Sequence, residues 1–309
     1  ITATVDGSQW IRQWSASRRR FWGFSPDALP INGRIWKPEG AGPFPLVLIA
    51  HGNHRMEERS ELGYAYLCEL LASRGMLCAS IDQNFLNVST AAGGAYLLDR
   101  GADIDARAWL LLEHLRQWRD WNRTVGNPLY GLVDEDRIGL IGHSAGGEAA
   151  AVAAALNHLP AYPNDSARQL DYGFNIRAVV ALAPTDSLQW LGGRRVRLEN
   201  IDYLTLHGSH DMDVLAFQGQ NQMERLSWND ERSHRSAAVY IYGANHGQFN
   251  TVWGRRDKGD LLFRLMNAEQ IMPGETQQQI AKSMVSAFLE AALHEQTAYL
   301  DLLRDPRLA

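Results

Sequence analysis

The stretch Arg137-Ile138-Gly139-Leu140-Ile141-Gly142-His143-Ser144-Ala145-Gly146-Gly147-Glu148-Ala149-Ala150 constrains the fold more than any other part of the chain. It reads as a strand of alternating bulky and small residues that runs directly into an alanine-rich helix. The junction is Gly142-x-Ser144-x-Gly146. A serine on so tight a strand-to-helix turn is held in a strained backbone conformation, and a Cβ on its near neighbours would strike the adjoining strand or helix. The turn presents Ser144 Oγ at the carboxyl end of a sheet. It also sets that oxygen at a helix N-terminus, where free N–H groups and the positive dipole end favour a developing anion.

The rest of the sequence supplies the sheet that such a turn needs. Phe44 to Ala50 is a near-continuous apolar run, the pattern of a parallel strand buried on both faces. Met76–Ile81, Ile176–Leu182, Ile201–Leu206 and Ala237–Tyr242 read as further strands. Helices are expected at about 59–74, with Leu62, Tyr66 and Leu70 on one face, at Asp103–Arg123, within Leu215–Trp228, and at 276–303, the last one broken. Residues 1–30 read as an arm or edge strand, and 29–38 as the end of one antiparallel strand and a second stopped by Pro38. The segments 85–101, 157–174 and 187–200 read as loop or short excursion, and 248–275 as a long unpatterned segment. Alternation of strands and helices over the whole length predicts one doubly wound α/β domain spanning 1–309. It has a mostly parallel sheet of about eight strands, helices on both faces and no large cap domain.

Composition excludes several other classes. The 309 residues carry 45% hydrophobic and 21% charged side chains with a formal net charge of −5, ordinary values for a chain that buries a core. There is no basic footprint for nucleic acid; Arg18-Arg19-Arg20 reads as a solvated or salt-bridged run. No window approaches the about 18 consecutive apolar residues of a membrane span. No signal peptide is visible, and a start at Ile1 rather than Met is read as trimming from a longer precursor, which leaves export open. Cys68 and Cys78, on a helix and the following strand among apolar neighbours, are expected as buried free thiols.

A serine hydroxyl is a poor nucleophile near neutral pH and needs a positioned base, itself oriented by a third group. With the serine on a strand-to-helix elbow, the order Ser, Asp/Glu, His is expected, each residue in a loop after a strand. Asp211, in Gly208-x-x-Asp211-x-x-Val214, fills the acid position; Asp213 and Asp186 are alternatives, Asp213 being the better candidate for capping the next helix. His246, between Asn245 and Gly247 past the last strand, fills the base position. Backbone N–H groups of Ala145 and Asn53 are assigned to an oxyanion hole, with Gly52 small enough for close approach.

Together, His51-Gly52, Gly142-His143-Ser144-Ala145-Gly146-Gly147, Gly208-x-x-Asp211-x-x-Val214 and His246 resemble the α/β-hydrolase superfamily over about residues 30–295. The likeness is to its esterase branch, which includes dienelactone hydrolases, acyl-hydrolase esterases and cutinase-like polyester hydrolases. The chain departs from several cutinase-like members at Asn53, where they carry an aromatic. The resemblance implies a cofactor-free serine hydrolase acting on small-molecule or polymeric carboxylic esters. Other acyl transfer on the same site (thioesterase, acyltransferase, amidase, peptidase) stays open. So do a lyase on the same serine and a non-catalytic binding module.

Four aromatics on loops after strands, Phe85, Trp190, Phe249 and Trp253, are candidates for an apolar substrate wall. No metal is expected: His51-x-x-His54 and His207-x-x-His210 lie in loops, without the helical spacing of a zinc protease, and His51 and His207 read as braces for the loop backbone. Glu148, Asp82 and Asp99 are expected in structural hydrogen bonds. The pattern sets neither oligomeric state nor compartment.

Overall fold

Seven strands form the central sheet of the computed structural model, which describes residues 3–11, 13–88, 104–257, 268–305 and 307. Asp99, most of the 85–101 segment and residues 258–267 of the 248–275 segment lie outside the described residues.

In chain order, β1 (Ala3–Val5) is followed by α1 (Ala16–Trp22), β2 (Leu29–Ile31), β3 (Gly33–Trp36) and β4 (Phe44–Ala50). Then come α2 (Ala65–Ser73), β5 (Leu77–Ile81), α3 (Ile104–Arg123), β6 (Val133–His143) and α4 (Ala145–Leu156). Next are the hairpin β7–β8 (Ala161–Tyr162, Asp165–Gln169) and the strand β9 (Ile176–Leu182). A second hairpin, β10–β11 (Trp190–Leu191, Arg194–Arg195), leads through β12 (Leu198–Glu199) to β13 (Asp202–Gly208) and α5 (Gln218–Met223). The chain closes with β14 (Leu226–Ser227), β15 (Ser236–Ile241), α6 (Gly274–Leu293) and α7 (Leu300–Arg304).

The sheet order is β15-β13-β9-β6-β4-β5-β3. Every neighbouring pair is parallel except β3 with β5. Parallel strands need both faces covered, and their side chains divide by a period of two. In β4, Leu46, Leu48 and Ala50 enter one core with α3 and α4. Val47 and Ile49 enter the other with α2 and α6. The alanine-rich α4 is buried on nearly every side, so its small side chains let it lie close against the sheet beneath the serine turn.

Several sequence expectations need correction. The sheet has seven strands rather than about eight, because β2 leaves the sheet to pair antiparallel with β1. Residues 157–174 and 187–200 contain short hairpins, which are too brief for side-chain periodicity to register. The N-terminal arm includes α1, capped by the Ser15 hydroxyl. The 59–74 segment opens as a 3₁₀ turn, Ser60–Tyr64, and buries Leu67, Cys68 and Leu71 rather than Tyr66 and Leu70. The helix expected in 215–228 shrinks to α5, with Phe217 at its N-cap, so Asp213 is not the cap. The terminal helix breaks between α6 and α7, where Glu295 takes a left-handed φ of 61°. Cys68 and Cys78 are not free thiols: they form a disulfide that ties α2 to β5 inside the core.

Candidate active site

Ser144 follows β6, the central strand, and opens α4. Its φ of 58° and ψ of −127° lie in a region that non-glycine residues rarely occupy. The turn holds it there. Ser144 N–H donates to Leu182 C=O at 2.9 Å, and its own C=O accepts from Gly147 N–H at 2.9 Å. The flanking glycines permit the geometry: a Cβ on Gly142 would sit 2.0 Å from Gly146 O, and one on Gly146 would sit 2.3 Å from Ala50 O. The hydroxyl makes no hydrogen bond to any described residue, and Ser144 is 9% exposed.

Asp211 lies in the loop after β13 and His246 in the loop after β15. His246 Nδ1 and Asp211 Oδ2 are 2.8 Å apart. A carboxylate only accepts, so the ring proton sits on Nδ1 and the neutral ring keeps a lone pair on Nε2. The second oxygen of Asp211 accepts from the N–H groups of Asp213 at 2.9 Å and Val214 at 2.7 Å, which fixes the carboxylate. Asp186 is committed elsewhere, to an ion pair with Arg225.

The loop after β4 approaches the serine from the other side. A Cβ on Gly52 would lie 2.5 Å from Ser144 Cβ and 2.7 Å from His143 O, so only glycine allows this contact. His51 braces the loop: its Nδ1 donates to Gly52 O at 2.8 Å and its Nε2 accepts from Gln83 N–H at 3.0 Å. Asn53 is turned by its side chain, whose Oδ1 accepts from Val88 N–H at 3.0 Å. Among the described residues, neither the Asn53 N–H nor the Ala145 N–H is engaged by another protein group. Both are thus available to an anion.

A set of rings surrounds these groups. His143 packs 4.9 Å from His246 and 4.5 Å from Trp253, centroid to centroid. Its Nδ1 is 2.9 Å from Tyr64 Oη. Trp253 also stacks on His54 at 4.9 Å and donates from Nε1 to Ser60 Oγ at 3.0 Å. Of the four wall aromatics expected from sequence, Trp253 alone stands beside both histidines. Phe249 is fully buried beneath His143. Phe85 is fully buried in an aromatic cluster with Trp22 and Phe24. Trp190 is 46% exposed on the second hairpin, under the Arg195 guanidinium.

Electrostatics separate His246 from its neighbours. Burial by itself lowers its proton affinity, but the Asp211 charge and hydrogen bond, then Asp213 and Asp257, reverse this and hold its pKa above 6.5. Burial pulls His51 down to about 3 and His207 down to about 4, and holds His143 well below 6.5 and His54 below it. His207 Nε2 is an acceptor for Gly219 N–H at 3.1 Å, so it too braces backbone. Among the described residues, no group of three or more His, Cys, Asp or Glu side chains is placed to hold a metal ion. Glu148 accepts from Thr185 Oγ1, Leu188 N–H and Gln189 N–H, a structural role, and Asp82 accepts from Asn84 N–H and Nδ2.

Two contributors were not legible in sequence. Tyr64, next to a helix start, gives no cue of its contact with His143. Asp257 lies in the unpatterned 248–275 segment and reaches back to the histidine loop; its position depends on a turn that no motif announces. No protein-family model matches the chain, and a search of curated proteins finds no match in sequence.

Proposed function

We propose that the protein is a serine hydrolase of carboxylic esters built on an α/β-hydrolase fold. The observation that carries this reading is the Asp211–His246 pair, placed at the same edge of the parallel sheet as a strained serine and two unengaged N–H groups. Ser144 Oγ attacks the ester carbonyl carbon while His246 Nε2 takes the hydroxyl proton. Asp211 keeps the ring in the Nδ1–H tautomer and stabilises its charged form. The carbonyl oxygen, now an anion, is received by the N–H groups of Ala145 and Asn53. Collapse of the tetrahedral adduct breaks the ester C–O bond, and the His246 proton leaves with the alcohol. Water, deprotonated by His246, then attacks the acyl-enzyme and releases the acid, restoring Ser144.

In this structure the Ser144 hydroxyl is not hydrogen bonded to His246. Contacts of this type are often long without substrate and tighten when it binds. Trp253, against His143 and close to Gly52, supplies an apolar wall beside the reacting carbon.

The test is hydrolysis of short p-nitrophenyl esters together with labelling by a fluorophosphonate probe. Wild type is expected to turn over the esters and to be labelled at Ser144. Ser144→Ala and His246→Ala lose turnover, and Asp211→Asn retains a fraction. Turnover that survives Ser144→Ala unchanged sinks the mechanism.

A further inference from the structure

Asp257 lies between β15 and α6 and is not hydrogen bonded to Ser144 or to the Asp211 side chain, yet its carboxylate gathers the backbone around both acid and base. One oxygen accepts from Gly247 N–H at 2.8 Å and Asn245 Nδ2 at 2.7 Å. The other accepts from His246 N–H at 2.9 Å and Met212 N–H at 3.2 Å. Met212 directly follows Asp211. A single side chain therefore ties the loop after β13 to the loop after β15 at the residues that matter. The base loop is fixed again at Asn245, where Gln277 of α6 accepts from its N–H at 3.0 Å and donates to its C=O at 2.8 Å.

One hydrogen bond between His246 and Asp211 leaves the ring free to pivot about it. Holding the backbone of both partners removes that freedom. We propose that Asp257 is a positioning residue for ester hydrolysis, clamping the acid and base loops together so that the His246 imidazole is presented to Ser144 in one orientation. This rests on the Ser144, His246 and Asp211 roles proposed above. The carboxylate acts by charge as well as by geometry, since it lies close to His246. The groups facing His246 are Asp211, Asp213 and Asp257, which favour its protonated form, and His54, His143 and His207, each of which burial holds below the usual histidine pKa.

Geometry and charge are separated by two substitutions, read as kcat, KM and the pH dependence of kcat/KM on p-nitrophenyl acetate. Misplacement of a catalytic group on the order of 1 Å costs about 10²-fold in rate. Asp257→Asn, which loses the charge and two of the accepting sites, is expected to lower kcat by about 10- to 100-fold with KM little changed. It also moves the acid limb of the profile to lower pH. Asp257→Glu keeps the charge but not the reach, so kcat falls while the acid limb stays in place. Wild-type kcat and an unmoved limb in both variants overturn the proposal. If both variants fail to fold, Asn245→Ser withdraws one donor and leaves the carboxylate: a lower kcat with an unmoved limb supports the clamp, and wild-type turnover overturns it. Fluorophosphonate labelling of the wild type runs alongside. Labelled wild type with unaffected variants removes the Asp257 role alone, whereas unlabelled wild type removes the hydrolase reading and this inference with it.

Discussion

At the scale of single residues, the site depends on atoms that have little room to move. Gly52 is the sharpest case. Alanine there would set its Cβ 2.5 Å from Ser144 Cβ, against a backbone carbonyl on the other side, and would push the loop that carries the proposed Asn53 oxyanion donor away from the serine. Loss of one such donor costs about 10²–10³ in rate, so Gly52→Ala is expected to lose turnover of that order while keeping its circular dichroism spectrum; near-native kcat would remove the loop from the reaction. His246 sets the pH response. On the proposed mechanism the neutral ring is the base, and its pKa is held above 6.5 by Asp211 and then by Asp213 and Asp257, against the effect of burial. Ester hydrolysis by this route is therefore expected above that raised pKa and is expected to be lost as pH falls through it. The acid limb of kcat/KM should lie above 6.5 in wild type and move down in Asp211→Asn, as measured by ester hydrolysis over a pH series. A limb at the same pH in both would mean that Asp211 does not govern the base.

At the scale of elements, the disulfide between α2 and β5 is the clearest departure from expectation. Both cysteines are fully buried, and apolar neighbours are equally consistent with thiols and with a bond, so sequence context has no means of choosing between them. A native disulfide contributes about 2–4 kcal/mol, and Cys78→Ala should lower the unfolding free energy by about that amount in guanidinium titrations; an unchanged midpoint would show that the bond adds nothing. The strands that carry the site were legible for a physical reason. Central parallel strands must be apolar on both faces, and β4, β9 and β13 announce themselves by that run. Ser144 and Asp211 could be placed at the sheet's end because each follows a buried strand, β6 and β13; His246 follows β15, an edge strand whose residues alternate between exposed and at least partly buried, and could be placed by the loop after that last strand. The hairpins β7–β8 and β10–β11 are too short to show a period. Asp257 was illegible because nothing repeats or alternates around it, and three of its four donors are backbone N–H groups, which every residue but proline carries. Phe85 shows the opposite failure: a large aromatic after a strand suits a pocket wall and a core equally, and here it is core.

At the scale of the whole molecule, the sheet separates two hydrophobic cores, and the residues of the proposed site collect where its parallel strands end. No helix among the described residues is long and apolar enough to cross a membrane. The strand order also divides the site into sides. Ser144 leaves the middle strand, β6; the Asn53 loop arrives from β4 on one flank; Asp211 and His246 arrive from β13 and β15 on the other. On the proposed mechanism, the carbonyl oxygen must turn towards β4 and the departing alcohol towards the histidine. Only one of the two prochiral faces of an ester carbonyl meets both demands with the serine beneath it. If that mechanism holds, the order of strands in the sheet gives the chemistry a handedness: a stereocentre next to the carbonyl meets unlike walls in its two configurations, and mirror-image esters are expected to be unequal substrates.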